Sequence, residues 1–168
     1  MPTATIDGIA TRYEVVGSGP PLLMYAPGGF DATVEKWSTQ GVYARIRLLD
    51  HLPRHYTCIL FDRRECGQSG GRVERVTWVH YVAQGRGLLD HLGHDRAHLM
   101  GGCMGCCPVA AFGVAHPERT IGMVLWWPVG GAKWLDAKTD TYANVAKASL
   151  AAFQALIADA RAGRQIRG

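Results

Sequence analysis

Three of the chain's five cysteines crowd into one short stretch, Gly101-Gly102-Cys103-Met104-Gly105-Cys106-Cys107. Three chemistries are open to such a stretch: a nucleophile, a redox dithiol, or half of a metal site. A nucleophile lifted onto a strand-to-helix turn sits in a strained backbone conformation, and the residues two before and two after must then be nearly free of side chain. Gly101 and Gly105 meet that demand around Cys103. The Met104 backbone N–H would point at a developing oxyanion, and the start of a helix favours an anion there. A thioredoxin-like Cys-x-x-Cys, here Cys103 and Cys106, also follows a strand and opens a helix, but it has no need of glycine on both sides of its first thiol. A zinc site wants a second ligand pair, and Cys58 and Cys66 supply no recognised spacing. Cys106 and Cys107 read as small apolar residues at the buried start of a helix. The nucleophile reading is the strongest of the three, and the redox reading stands as its alternative.

The elements around this turn follow from periodicity. "TATIDG" and "IATRYEVVG" alternate apolar and polar residues around Asp7-Gly8, which predicts a hairpin. "LLMYA" (22–26), "HYTCILFD" (55–62), "AHLMGG" (97–102) and "IGMVLWWP" (121–128) are short apolar runs of the kind buried strands show. Val34, Trp37, Val42, Ile46 and Leu49 recur at roughly helical spacing. Thr77 caps a predicted helix that runs to Gly93, weakened by Gly85 and Gly87. Another helix runs from Met104 to about "HPE". Strands that alternate with helices imply βαβ units, so the expected fold is α/β, a mostly parallel sheet behind an antiparallel N-terminal hairpin. From 139 to 163 the chain is alanine-rich and helix-favouring, with no strand after it.

Composition limits the classes of function. The chain has 168 residues, 48% of them hydrophobic and 19% charged, which suits a soluble protein with a real core. A net charge of +4 is modest and scattered; Arg161, Arg164 and Arg167 read as a solvated terminus rather than a nucleic-acid patch. No apolar run approaches the roughly 20 residues needed to span a bilayer. The N-terminus lacks the basic and apolar regions of a signal peptide. The cysteine spacing is not a disulfide framework, so a reducing, cytoplasmic setting is expected. No metal and no organic cofactor are implied; the expected partner is a small-molecule substrate, with no nucleic acid and no membrane, and a homodimer is left open.

Taken in order, four segments resemble the α/β-hydrolase superfamily from about residue 5 to residue 131. "LLMYAPGGF" stands where that family has a strand and its oxyanion turn. "FDRRECGQSGG" is similar to its Asp-x-Arg-Gly-x-Gly-x-Ser loop. "LLDHLGHDRAHLMGGCMG" and "VAHPERTIGMVLWWP" resemble its elbow and the strand after it. The resemblance implies Cys103 as nucleophile, Met104 N–H as one oxyanion donor, and Gly29 or Phe30 as the other. Asp62, Gly67 and Ser69 would hold a loop, since the family's catalytic acid follows the elbow in sequence. Pro27 replaces the usual histidine of the oxyanion turn, Cys66 a usual small residue, and cysteine the usual serine, as in the dienelactone hydrolases and polyester synthases of the superfamily. Trp126, Trp127 and Trp134 would line a substrate pocket or pack beneath a cap.

The same resemblance leaves a gap. The family's acid and histidine lie after later strands that this sequence does not reach. Residues 1–131 are therefore expected to form an incomplete hydrolase core, and residues 132–168 the start of a helical cap or lid. Asp136 and Asp140 read better as helix-start residues than as the acid, and His94, His98 and His116 are poorly placed for the base. The expected activity is hydrolysis or acyl transfer at an ester, thioester, lactone or related carbonyl, weak without a full triad. The alternatives are a thiol redox protein using Cys103 and Cys106, or a non-catalytic domain that binds a small ligand.

Overall fold

The computed structural model describes residues 2–29, 31–71 and 77–128. Phe30, Trp134, Asp136, Asp140, the C-terminal arginines and the expected cap at 132–168 lie outside the described residues.

The chain opens with a hairpin of β1 (Thr3–Ile6) and β2 (Ile9–Val16). Asp7 and Gly8 both take positive φ, 49° and 74°, the mirror-image turn whose twist matches paired strands. β3 (Pro21–Tyr25) and β4 (Thr57–Phe61) follow, then β5 (Ala97–Gly102) and β6 (Thr120–Trp126). They form one six-stranded sheet in the order β1-β2-β4-β3-β5-β6. β1 and β2 run antiparallel, β2 and β4 likewise, and β4, β3, β5 and β6 are mutually parallel. The expected mostly parallel α/β sheet behind an N-terminal hairpin is what the chain adopts.

Alternation along the central strands sends side chains to two cores. On one face Leu22, Met24, Leu60 and Met100 pack with Trp37 and Tyr43. On the other, Leu23, Tyr25, Ile59 and Leu99 pack with Val82 and Leu88 of α4 (Trp78–His91) and with Val109 and Phe112 of α5 (Cys106–Ala115). β6 ends the sheet among the described residues and leaves Met123, Val124 and Leu125 exposed. No helix among the described residues is long and apolar enough to cross a membrane.

Two departures from the periodicity have local causes. The helical spacing at 34–49 resolves into three short helices, α1 (Lys36–Thr39), α2 (Gly41–Ile46) and α3 (Leu48–His51), rather than one. Gly41 at φ 46° and Arg47 at φ 51° break the helical path between them. In α4 the two glycines that weaken the helix on propensity make room instead. A Cβ on Gly85 would stand 1.9 Å from the Tyr25 hydroxyl, and one on Gly87 2.6 Å from an Ile6 methyl. The Tyr25 hydroxyl donates to the Tyr81 carbonyl (3.1 Å), so the ring is pinned in the path of any added methyl.

In an open helix, Gly85→Ala would stabilise by about 1 kcal/mol through propensity. Here overpacking, which costs about 1–3 kcal/mol, opposes it against a hydrogen-bonded, immovable ring. The expected net result is a lower urea midpoint with an unchanged slope, read by far-UV circular dichroism.

Candidate active site

The register of the parallel strands brings the site together. Tyr25 of β3 pairs with Gly101 of β5, and Gly102 pairs with Trp126 of β6. The Pro27-Gly28-Gly29 turn therefore leaves β3 level with the point where β5 turns at Cys103. Trp127 leaves β6 at the same C-terminal edge of the sheet, where ligands of parallel α/β sheets bind.

Cys103 holds φ 52°, the left-handed region that a residue with a side chain rarely occupies. It begins a single 3-10 turn, Cys103–Gly105, that runs directly into α5. The turn is so close to the strands that its neighbours have no space for a side chain. A Cβ on Gly101 would meet the Gly105 carbonyl oxygen at 2.4 Å, and one on Gly105 the Tyr25 carbonyl oxygen at 2.3 Å. One on Gly102 would meet the Tyr43 ring at 2.9 Å. The thiol of Cys103 is half-buried.

Tyr43 is a neighbour that periodicity assigns only to a helix. Its ring stands edge-on to Trp37 (5.4 Å between centroids) and to Trp126 (5.5 Å). Burial pushes its phenol up, with the Cys103 and Cys106 thiols adding to that, while a hydrogen bond with the Cys103 backbone works the other way. Trp126 thus belongs to the packing beneath the elbow, whereas Trp127 is 66% exposed.

Cys106 and Cys103 have different surroundings. The buried Cys106 thiol donates to the Gly101 carbonyl (3.1 Å) and the Trp126 carbonyl (3.4 Å), and burial pushes it up to about 11. Cys107 is half-buried, raised by burial and by Cys103 and lowered by Arg63. Cys58 is wholly buried in β4 and likewise pushed up to about 11.

The Pro27-Gly28-Gly29 turn, the expected source of the second oxyanion donor, is open on one side. Gly29 is exposed and a Cβ there would touch nothing within 4 Å. Gly28 takes φ 111°, and a Cβ on it would meet the Asp31 carboxylate at 2.6 Å. That carboxylate is held below its usual range by Lys36 first, with the Asp31 and Gly29 backbone N–H groups contributing. A donor role for Gly29 therefore requires its amide to exchange Asp31 for the oxyanion. The Gly29 carbonyl accepts from Arg63 Nη2.

Asp62 is fully buried and fastens both loops at the sheet edge. Its Oδ1 accepts from Val34 N–H (2.8 Å) and Arg12 Nη1 (3.1 Å), and its Oδ2 from Gln68 N–H (2.8 Å). Gly67 leaves room for that carboxylate, since a Cβ there would stand 2.3 Å from Oδ2. The Ser69 hydroxyl donates to the Asp62 carbonyl (2.7 Å) and accepts from Arg12 N–H (3.0 Å). Asp62, Gly67 and Ser69 thus hold the loop together, as their place in the sequence implies. The loop's strained residue is Glu65, at φ 63°, while the substituted Cys66 packs into the core. Gln84 of α4 is buried as well; its amide donates to Thr11 Oγ1 and the Asp62 carbonyl and its oxygen accepts from Arg64 N–H. A glutamine inside an apolar helix face is the one sequence signal that could have marked it.

Four histidine rings among the described residues are engaged away from Cys103. His80 caps α4 with Thr77, His91 meets Tyr13, His98 stands edge-on to Tyr56, and His116 meets Phe112 and Glu118. Among the described residues no three His, Cys, Asp or Glu side chains are grouped to hold a metal ion.

Comparison with known proteins fits this geometry. The family model described as alpha/beta hydrolase fold matches residues 21–148, well over half of the chain. Over 127 residues the chain is 29% identical to the dihydrolipoyllysine-residue acetyltransferase component of the acetoin cleaving system of Cupriavidus necator, covering 76% of this chain and 32% of that protein. It is 30% identical over 129 residues to the 2-hydroxy-6-oxo-2,4-heptadienoate hydrolase of Pseudomonas putida, covering 73% of this chain and 42% of that protein. A meta-cleavage product hydrolase from Pseudomonas fluorescens IP01 superposes with a TM-score of 0.66 at 23% identity, over 77% of this chain and 46% of that one, a likeness of fold alone. The chain spans less than half the length of each of these proteins.

The thiols should separate by reactivity in the native protein. Iodoacetamide at pH 8, followed by peptide mass mapping, should label Cys103 first and leave Cys58 and Cys106 unmodified. Both buried thiols have folded values raised from 9.0 to about 11, so folding favours their protonated forms. Their contribution to stability is complete below pH 9 and is lost as pH rises toward about 11, where the urea midpoint should fall.

Proposed function

The chain belongs to the alpha/beta hydrolase fold family, and from that premise we propose that it carries the nucleophile half of a hydrolase or acyltransferase site built on Cys103. The observation that carries this reading is the left-handed backbone of Cys103, φ 52°, on a turn whose flanking glycines have no room for a side chain. Strain of this kind costs about 1–3 kcal/mol and persists where a site requires it.

The chemistry follows from the surroundings. The Cys103 thiolate attacks the carbonyl carbon of an ester, thioester or lactone, and a carbon–sulfur bond forms as the carbonyl electrons move to oxygen. The Met104 N–H and an N–H of the Gly29–Phe30 turn receive that oxyanion. Collapse expels the alcohol or thiol, which takes up a proton, and leaves an acyl-thioester on Cys103. Water, or another acceptor, then attacks the thioester and frees the thiol. The exposure of Trp127 at the same sheet edge supports a contact with the substrate, and the packing of Trp126 on Tyr43 supports a wall beneath it. In this reading residues 1–131 are the core that presents the nucleophile and residues 132–168 are the start of a cap or lid. The hydrolase relative from Pseudomonas putida acts, by its name, on a carbon skeleton with a carbonyl, which accords with acyl chemistry here.

A redox role for Cys103 and Cys106 has less support. The Cys106 thiol is buried, hydrogen-bonded to two carbonyls and pushed up to about 11, which disfavours the thiolate that disulfide exchange requires. A small-molecule substrate in a reducing, cytoplasmic setting fits a free nucleophilic thiol.

With p-nitrophenyl acetate the expected result is a burst of about one equivalent of p-nitrophenol per chain, then slow release, because the histidine contacts among the described residues do not include Cys103. Intact-mass analysis should find the acetyl group on Cys103, and Cys103→Ala should abolish burst and adduct. Sustained turnover by Cys103→Ala would sink the reading.

A further inference from the structure

Three arginines of the loop region have different counter-charges. Arg12, 2% exposed, meets three carboxylates: Glu14 (2.6 Å), Glu35 (2.6 Å) and Asp62 (3.1 Å). Arg64 meets Asp7 (3.0 Å) and Glu65 (3.1 Å). Arg63 is 5% exposed and, among the described residues, has no carboxylate within ion-pair distance.

The direct contacts of Arg63 are neutral. Nη2 donates to the Gly29 carbonyl, the guanidinium carbon lies 4.6 Å from the centre of the Tyr81 ring, and the Tyr81 phenol and Cys66 thiol are hydrogen-bonding neighbours. The Glu65 carboxylate, which pairs with Arg64, acts on the same Tyr81 and Cys66 groups from farther off. Among the described residues the buried Arg63 Nε has no partner, which is true of Arg12 Nε as well, but Arg12 has three carboxylates on its other nitrogens. A guanidinium stays charged at any pH a protein experiences, and burying it without an anion costs several kcal/mol. A carbonyl and a ring face offset only part of that. The carbonyl it grips belongs to the oxyanion turn, and its charge acts on Cys107, one helical turn beyond Cys103. Among the described residues this charge has no carboxylate in direct contact, and it lies against the Gly28–Gly29 turn rather than in the clamp that Arg12 and Asp62 occupy.

We propose that Arg63 is the receptor for a carboxylate carried by the substrate, so that the site takes acyl compounds bearing a second, free carboxylate group. The planar fork of arginine suits a two-oxygen anion, and Nε is one of the donors a side-on carboxylate would use. This inference rests on the Cys103 reading for its location, but the binding it requires does not involve the thiol.

The test uses 4-acetamidobutyrate and its neutral amide, 4-acetamidobutanamide, which have the same length and an unreactive acyl carbonyl. Calorimetric titration of the wild-type chain should give at least about tenfold tighter binding of the acid. Arg63→Gln should remove the difference between the two probes, and Arg63→Lys, which keeps the charge without the fork, should retain part of it. In 15N-labelled wild-type protein the acid alone should shift one arginine Nε–Hε resonance, the one missing from Arg63→Lys, so the result does not depend on the glutamine variant folding. Equal binding of acid and amide, no acid binding up to about 50 mM, or a preference unchanged in Arg63→Gln would each overturn the proposal. A burst with p-nitrophenyl acetate but no acid preference removes only the carboxylate receptor; an acid preference with no burst removes only the nucleophile reading.

Discussion

Everything at this sheet edge depends on how closely the turn after β5 passes the end of β3. The carbonyl groups of Tyr25 and Ala26 stand where a side chain on Gly105 would go, and the Gly105 carbonyl stands where one on Gly101 would go. Steric exclusion of this sort is not adjustable, because the obstacles are main-chain atoms of a buried sheet rather than flexible side chains. With both flanks reduced to hydrogen, the backbone can reverse within one residue. That residue then takes the left-handed conformation and has its side chain at the strands' C-terminal edge. Cys103 is placed by the sheet, and the sheet's register places the Gly28–Gly29 turn beside it.

A second constraint keeps the surrounding loops from drifting. Asp62 has no access to water, so its charge must be met inside the protein, and it is met by the Arg12 guanidinium and two backbone amides. Those amides belong to Val34, after the Pro27-Gly28-Gly29 turn, and Gln68, in the loop beyond β4. One carboxylate thus ties the hairpin, the segment after β3 and the β4 loop into a single unit. Buried ion pairs of this kind add little net stability but are costly to break, which makes them better at fixing geometry than at holding a fold together. Arg63 lies one residue away from this clamp and, among the described residues, touches no carboxylate, whereas Arg12 touches three.

The strands, the hairpin and the glycine pattern of the elbow were legible in the sequence because each is a local property. Period-two alternation and an Asp-Gly pair suffice for β1 and β2, and the spacing of Gly101, Cys103 and Gly105 suffices for the turn. What was not legible depends on distant contacts. Nothing near Gly85 in the chain reveals that it faces the Tyr25 hydroxyl, so helix propensity alone misjudges it. Apolar spacing across 34–49 is helical in period, but Gly41 and Arg47 interrupt it where the chain has to wrap round Trp37 and Tyr43. Tyr43, Gln84 and Arg63 are ordinary letters in their segments and gain meaning from partners far along the chain, such as Gly102, Thr11 and Gly29. Trp126 was placed at the correct edge, yet its ring serves the packing under the elbow.

The sheet order has a kinetic side. β5 is inserted between β3 and β6, so the Tyr25–Gly101 pairing joins positions separated by most of the described chain. Parallel pairings of such separation pay their loop-closure entropy before any contact rewards them, and they form late and slowly. Until β3 and β5 meet, no carbonyl presses on Gly105 and Cys103 is an ordinary residue of a flexible chain. The kinked thiol is thus a product of the final stage of folding, and a newly made chain would pass through most of its assembly without displaying it.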